Sequence, residues 1–256
     1  MSNEDDFDIP LSPRYSIIDD WIEDDKTDRL KQAELERAKA PRYYDFSRFL
    51  NIWYKLHEGR IPKPKVDPSY VKSNLDLRYE NSSRKYHGVF HIDQGLEEFD
   101  KVRSLLESPE ELAIAWYFHD VIYDTKSKDN EGKSARLAYD MLNRSGVEQV
   151  KAERIKNIIL TTDHQTPPKT IDEQLVIDID LSILGQNEDK YNWYSNGIRK
   201  EYSWVPEQQF KEGRLNILKS FLERPSIYYT DHFKEKYEKT ARVNLEREIQ
   251  SLSVIF

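Results

Sequence analysis

The stretch "SPEELAIAWYFHDVIYDT", Ser108 to Thr125, decides the fold class. Ser108 stands where an N-cap belongs, Pro109 takes the first helical position, and Glu111 completes a capping box. The interior, Leu112 to Phe118, is apolar on nearly every side, so a helix here belongs at the centre of a bundle. The spacing predicts a helix from about Pro109 to Tyr123. It carries His119 and Asp120 near its end. Burying a neutral imidazole beside an ionised carboxylate costs several kcal/mol unless something pairs with them. A cation between them removes that objection.

Working outward, the same period recurs. "YYDFSRFLNIWYKLHEG" sets Phe46, Phe49, Leu50, Trp53 and Leu56 at helical spacing. The proline-bearing run "RIPKPKVDPS" at 60–69 reads as a connection. Residues 82–106 follow a helical pattern on which His87 and His91 share a face. "NEGKSARLAYDMLNRSG" is a helix closed by Gly146, and "VEQVKAERIKNIILTTDH" is another, ending near His164. "DEQLVIDIDLSILG" stops at Gly185 and is the segment whose β-branched residues suit a strand as well as a helix. "NWYSNGIRKEYSWV", "PEQQFKEGRLNILKSFLER" and "HFKEKYEKTARVNLEREIQSLS" are helical. Hairpin signals and internal repeats are lacking, so the expected fold class is all-α, a helical bundle with a buried central metal site.

Composition bounds the function. The 256 residues include 16 Tyr, 10 Phe and 5 Trp, which is too aromatic for a disordered chain. Only 8 glycines and neither a Walker-type nor a dinucleotide-binding glycine motif argue against those phosphate loops. No cysteine means no disulfide, thiolate metal site or Cys nucleophile. The net charge of −8 falls within residues 1–25, which hold nine acids and one base, leaving the rest balanced. A balanced body without a basic stripe argues against duplex nucleic acid as partner. An apolar leader or membrane-spanning run is not evident, which predicts a cytoplasmic chain without membrane partners. The expected domains are an acidic extension over 1–40, with a polar helix over 25–39, and a helical domain over 41–256. The oligomeric state is open.

The histidines concentrate in "YHGVFHI", Tyr86 to Ile92, and "FHDVIYD", Phe118 to Asp124, which hold three of the six in the chain. Imidazole and carboxylate converging from packed helices suit divalent first-row ions. The candidates are His91, the His119–Asp120 pair, and an acid from "DIDLS". Asp178 and Asp180 point about 200° apart on a helix, so one of them reaches a given site. Asp124, four residues beyond Asp120, faces the same side of a continued helix. With Glu131 it is a candidate general base or second-ion carboxylate. His164 is a candidate for the phosphate or a second ion. Arg84, Arg199 and Arg214 are candidates to grip a phosphate, whose geometry guanidinium matches. Tyr191, Tyr194 and Tyr202 either line a pocket or belong to the core. His57 and His232 read as surface residues.

With those residues in view, "RYENSSRKYHGVFHI", "AWYFHDVIYD", "TTDHQ", "DIDLSILG", "IRKEY" and "FLERPSIYYT" together resemble the HD superfamily, in particular its branch of predicted metal-dependent HD phosphohydrolases. The resemblance runs from about Arg78 to the C-terminus. "YHGVFHI" and "DLS" are also similar to the cyclic-nucleotide phosphodiesterases, whose motif has Asn where this chain has Gly88. The resemblance implies an HD-type helical domain in which His91, His119, Asp120 and Asp180 bind the ion, and in which His87 protonates the leaving oxygen. It implies one or two divalent transition ions (Mn, Fe, Co, Ni or Zn) and hydrolysis of a phosphoester through a water activated by the ion. The expected substrate is a small phosphorylated molecule, with nucleotides among the candidates. The alternatives are an HD-type diiron oxygenase and a non-catalytic metal-binding module.

Overall fold

A computed structural model describes residues 44–57 and 66–253, all within the compact unit Tyr43–Phe256. The acidic extension over 1–40, its helix at 25–39 and most of the proline-rich connection lie outside the described residues. Among the described residues there are ten α-helices, two 3₁₀ turns and no strand. The helices are α1 Phe46–Leu56, α2 Pro68–Tyr79, α3 Val89–Val102, α4 Pro109–Phe118 and α5 Asn130–Ser145. They continue as α6 Gln149–Thr161, α7 Ile171–Leu181, α8 Glu188–Glu201, α9 Glu207–Leu222 and α10 Asp231–Ser253. The 3₁₀ turns, Arg103–Leu105 and Ser182–Gly185, extend α3 and α7. The fold is an all-α bundle.

Helix α4 is the axis of the molecule. Every residue from Glu111 to Phe118 is buried, and α1, α3, α5, α6 and α7 pack around it. Its start differs from the capping box read in the sequence. Ser108 is the N-cap, but its side chain makes no capping bond. The amides of Glu107 and Ser108 instead donate to the two oxygens of Asp172, both at 2.9 Å, and Glu111 takes a two-pronged pair from Arg154 at 2.7 and 2.5 Å. A buried carboxylate is held more firmly by a guanidinium fork than by one backbone N–H. The helix also ends at Phe118, five residues before the expected Tyr123, and the chain turns through Asp120 and Val121.

Helix α7 settles the strand-or-helix ambiguity of "LVIDIDLSIL" as helix. Thr170 caps it, accepting from Glu173 N at 3.1 Å, and Leu175, Val176, Ile177, Ile179 and Leu181 are all buried. Burial on almost every side erases the 3.6-residue alternation. The run read as a connection gives way at its end to helix α2, most of which lies in residues that the sequence reading leaves unassigned: Asp67 accepts from Ser69 N and Pro68 sits in the first turn. Its apolar residues follow no clear stripe, so periodicity did not reveal it. Helix α3 begins at Val89 rather than at residue 82, with Gly88 as N-cap in an extended conformation. His87 therefore lies in the loop before the helix, not one turn below His91 on a shared face. Gly146 closes α5 at φ 86°, as the sequence predicts, where glycine meets no Cβ penalty.

Candidate metal centre

Three elements converge at the C-terminal end of α4. The end of α4 delivers His119 and Asp120, α3 delivers His91, and α7 delivers Asp180. His91 Nε2 lies 3.0 Å from His119 Nε2 and 3.2 Å from Asp180 Oδ1. Asp120 Oδ2 lies 3.3 Å from His119 Nε2 and 3.7 Å from His91 Nε2. An ion with nitrogen and oxygen ligands at about 2.1 Å sets neighbouring ligand atoms roughly 3.0–3.4 Å apart. The buried group His91, His119 and Asp180 can hold a metal ion on that spacing, with Asp120 beside it.

The supporting contacts direct the His119 imidazole inward. His119 Nδ1 sits 2.8 Å from the carbonyl of Trp116, which accepts only, so the neutral ring carries its proton there and presents a lone pair at Nε2. The Trp116 indole stacks on the His119 ring at 4.2 Å and 19° and donates to Ile92 O at 2.9 Å. Gly95 makes room for that indole, since a Cβ there would fall 2.0 Å from Trp116. Arg84, read in the sequence as a phosphate ligand, has its guanidinium on the backbone instead. Nη1 donates to Asp120 O at 2.6 Å and to His87 O at 3.0 Å, and Nη2 to Val121 O at 3.1 Å. It holds the turn that aims Asp120.

The electrostatics favour positive charge. Burial works against a charged His119, but the Asp120 carboxylate outweighs it and raises the imidazole to about 9. Burial also works against an ionised Asp180, yet hydrogen bonds from His164 and His91 hold it well below the usual carboxylate range. Asp120 is likewise held low, chiefly by His119 against the burial penalty. His91 moves the other way, with burial keeping it neutral. Two ionised carboxylates and one neutral imidazole in a buried spot are a receptor for a cation.

Around this group the candidates separate. His164 sits at a positive φ of 56°, and its Nε2 lies 3.0 Å from Asp180 Oδ2, on the far side of the carboxylate from His91. Asp178, the competing acid, points away. It accepts from Tyr229 N at 2.7 Å, Thr230 N at 2.8 Å and Thr230 Oγ1 at 2.6 Å in the turn leading into α10. Glu131, on the first turn of α5, has its carboxyl raised by burial and then by the nearby Asp120 and Asp163 charges. Asp124 is exposed in an Asx turn, accepting from Lys126 N at 2.9 Å. Because α4 ends early, the four-residue spacing does not bring Asp124 round to Asp120. Arg199 is tied to Glu207, Tyr202 O and Val205 O. Arg214 is buried in a two-pronged pair with Glu248 and also donates to Tyr194 Oη at 3.1 Å. Tyr191 belongs to the core, and Tyr194 and Tyr202 are half-buried against it. His57 and His232 are half-buried rather than exposed.

One functional-site residue was not legible in the sequence. Glu201, the last residue of α8, is buried under the loop before α3. Its Oε1 accepts from the amides of Lys85, Tyr86 and His87 at 2.7, 2.8 and 3.0 Å. Its Oε2 lies 2.7 Å from His87 Nδ1 and accepts from Tyr123 Oη at 2.8 Å. Burial opposes its charge, but the His87 bond prevails and lowers it to about 2. His87 is correspondingly raised, burial notwithstanding, by Glu201, and its ring stacks on Tyr123 at 4.4 Å. A Glu at the end of an amphipathic helix carries no local signal of such a role.

Comparison with known proteins adds no relative: no protein-family model, curated protein or solved structure matches the chain. Among the described residues no helix is long and apolar enough to cross a membrane.

Proposed function

We propose that the chain is a metal-dependent phosphohydrolase of HD type, acting on a small phosphorylated molecule, with nucleotides among the candidate substrates. The observation that carries the reading is the buried His91–His119–Asp180 group with the His87–Glu201 pair next to it, His87 and His91 rings being 5.7 Å apart. An ion held by His91, His119, Asp180 and Asp120 supplies Lewis-acid neutralisation of a phosphoryl oxygen and a lowered pKa for water. Ligation by imidazole and carboxylate suits Mn, Fe, Co, Ni or Zn.

The chain's own groups supply the proton chemistry. Glu131 has a carboxyl raised by burial above its ordinary range, which makes it the stronger base to take a proton from the attacking water. His87 is raised and anchored at Nδ1 by Glu201, which leaves Nε2 as its donating nitrogen. An imidazolium there gives its proton to the leaving alkoxide and regains one from solvent. Arg84, Arg199 and Arg214 are engaged elsewhere, so phosphate binding falls to the ion and the histidines. A second reading, a two-ion oxygenase, draws on one observation: Asp180 turns its other oxygen to His164, as a bridging carboxylate would.

The test is elemental analysis of untreated protein, followed by a panel of nucleotides and sugar phosphates with Mn²⁺ supplied. A bound transition ion with phosphate release that is lost in Asp120→Ala supports the hydrolase. Iron with oxygen consumption and no phosphate release supports the oxygenase. Protein that takes up no transition ion overturns both.

A further inference from the structure

His87 stands in a loop, one residue ahead of the α3 cap, so its ring is not fixed by a helix. Glu201 Oε2 holds its Nδ1 at 2.7 Å, but a single hydrogen bond leaves an imidazole free to rock about that anchor. Its plane is set from the face by Tyr123, whose ring stacks on it at 4.4 Å with 30° between the planes, and from the edge by Tyr86 at 4.8 Å. Tyr123 is held in turn. Its Oη donates to the same Glu201 oxygen at 2.8 Å, and the Arg84 guanidinium lies 5.3 Å from its ring centroid. On its N-terminal side, Ile122 N donates to Ser134 Oγ at 3.0 Å. Two residues beyond it, Thr125 Oγ1 accepts from Trp204 Nε1 at 2.8 Å. Arg199 braces the turn that presents Trp204, donating to Tyr202 O at 2.7 Å and Val205 O at 3.2 Å. The end of α8 therefore reaches His87 twice, directly through Glu201 and through the latched loop that carries Tyr123.

We propose that Tyr123 is a positioning residue for the proton donor: its ring sets the plane of the His87 imidazole, and so the direction in which Nε2 meets a bound phosphoester. The proposal rests on the phosphohydrolase reading, in which His87 serves the leaving oxygen. In that step the P–O bond to the leaving group breaks, its electron pair stays on the leaving oxygen, and that oxygen takes the Nε2 proton. The transfer needs Nε2 within hydrogen-bond reach of the oxygen and in line with it. Without the stack the imidazole rocks about its Nδ1 anchor, and Nε2 leaves that line. A leaving group that is stable as an anion needs no proton, whereas an alkoxide does. A misplaced His87 therefore costs turnover of the second kind of ester and spares the first.

The experiment uses the full chain with Mn²⁺ supplied and a pair of monoesters. p-Nitrophenyl phosphate releases a stabilised phenolate, and glycerol phosphate releases an alkoxide. Tyr123→Leu removes ring and hydroxyl, and Tyr123→Phe keeps the ring. The expected result in Tyr123→Leu is a kcat on glycerol phosphate lower by roughly 10–100-fold, with kcat on p-nitrophenyl phosphate near wild type and most of the loss restored in Tyr123→Phe. An equal loss on both esters, or no loss on either, overturns the proposal. Proton spectra read the stack without turnover: nuclear Overhauser contacts between the His87 and Tyr123 rings are expected in the wild type. Their absence overturns the proposal without any variant, and so covers a Tyr123→Leu protein that does not fold. A wild type that shows the contacts but releases phosphate from neither ester overturns the phosphohydrolase reading on which the proposal rests, not the stack.

Discussion

The carboxylate of Glu201 grips His87 from 114 positions further along the chain, Oε2 to Nδ1 at 2.7 Å. The bond joins the end of α8 to the loop before α3 and fixes His87, whose ring lies 5.7 Å from that of His91. Its pH dependence follows from the two shifts. Glu201 is lowered from 4.5 to about 2, so its contribution is complete above 4.5 and lost as pH falls towards 2. His87 is raised from 6.5, so its contribution is complete below 6.5 and lost as pH rises through its folded value. The pair therefore stabilises most between those two reference values. Glu201→Gln should lower the unfolding free energy by about 2–3 kcal/mol there and flatten the acid limb, measured by urea denaturation across pH.

Asp178 and Asp180 should give opposite phenotypes. Asp178 bonds three groups at the start of α10 while fully buried, so Asp178→Ala should destabilise the fold by about 2–3 kcal/mol and leave metal affinity of the folded protein within a few-fold. Asp180→Ala should abolish high-affinity metal uptake with the smaller change in melting temperature. Calorimetry and metal analysis on the two variants side by side check the pair.

Gly95→Ala should act through Trp116. The added methyl meets the indole at 2.0 Å, and moving the indole disturbs the stacked His119 ring. A loss of roughly 1–3 kcal/mol is expected from overpacking, with weaker metal binding in the same variant. Unchanged thermal unfolding would show that the indole has room to shift.

Glu131→Gln separates the proton chemistry from ligation. The substitution keeps the shape of the side chain and removes its basicity. Phosphate release should fall about 10²–10⁴-fold with metal content unchanged. Loss of metal together with activity would make Glu131 a ligand rather than a base.

The sequence alone determined the helical class, because heptad-like stripes, Gly146 and the all-apolar Leu112–Phe118 run are local facts of chain geometry. It also singled out His91, His119 and an acid of the Asp178–Asp180 pair, since ionisable residues inside apolar helices are conspicuous wherever those helices pack. Where α4 stops was not local. The turn at Asp120 is held by Arg84 from another segment, and that turn removes Asp124 from the cluster. The choice between Asp178 and Asp180 depended on which face of α7 meets α10 and which meets α3. Arg84, Arg199 and Arg214 looked alike as phosphate ligands, and only packing assigned them to carbonyls and carboxylates. Glu201 was invisible for the same reason: a hydrogen bond between distant segments is specified by the assembled bundle, not by the residues on either side of its partners.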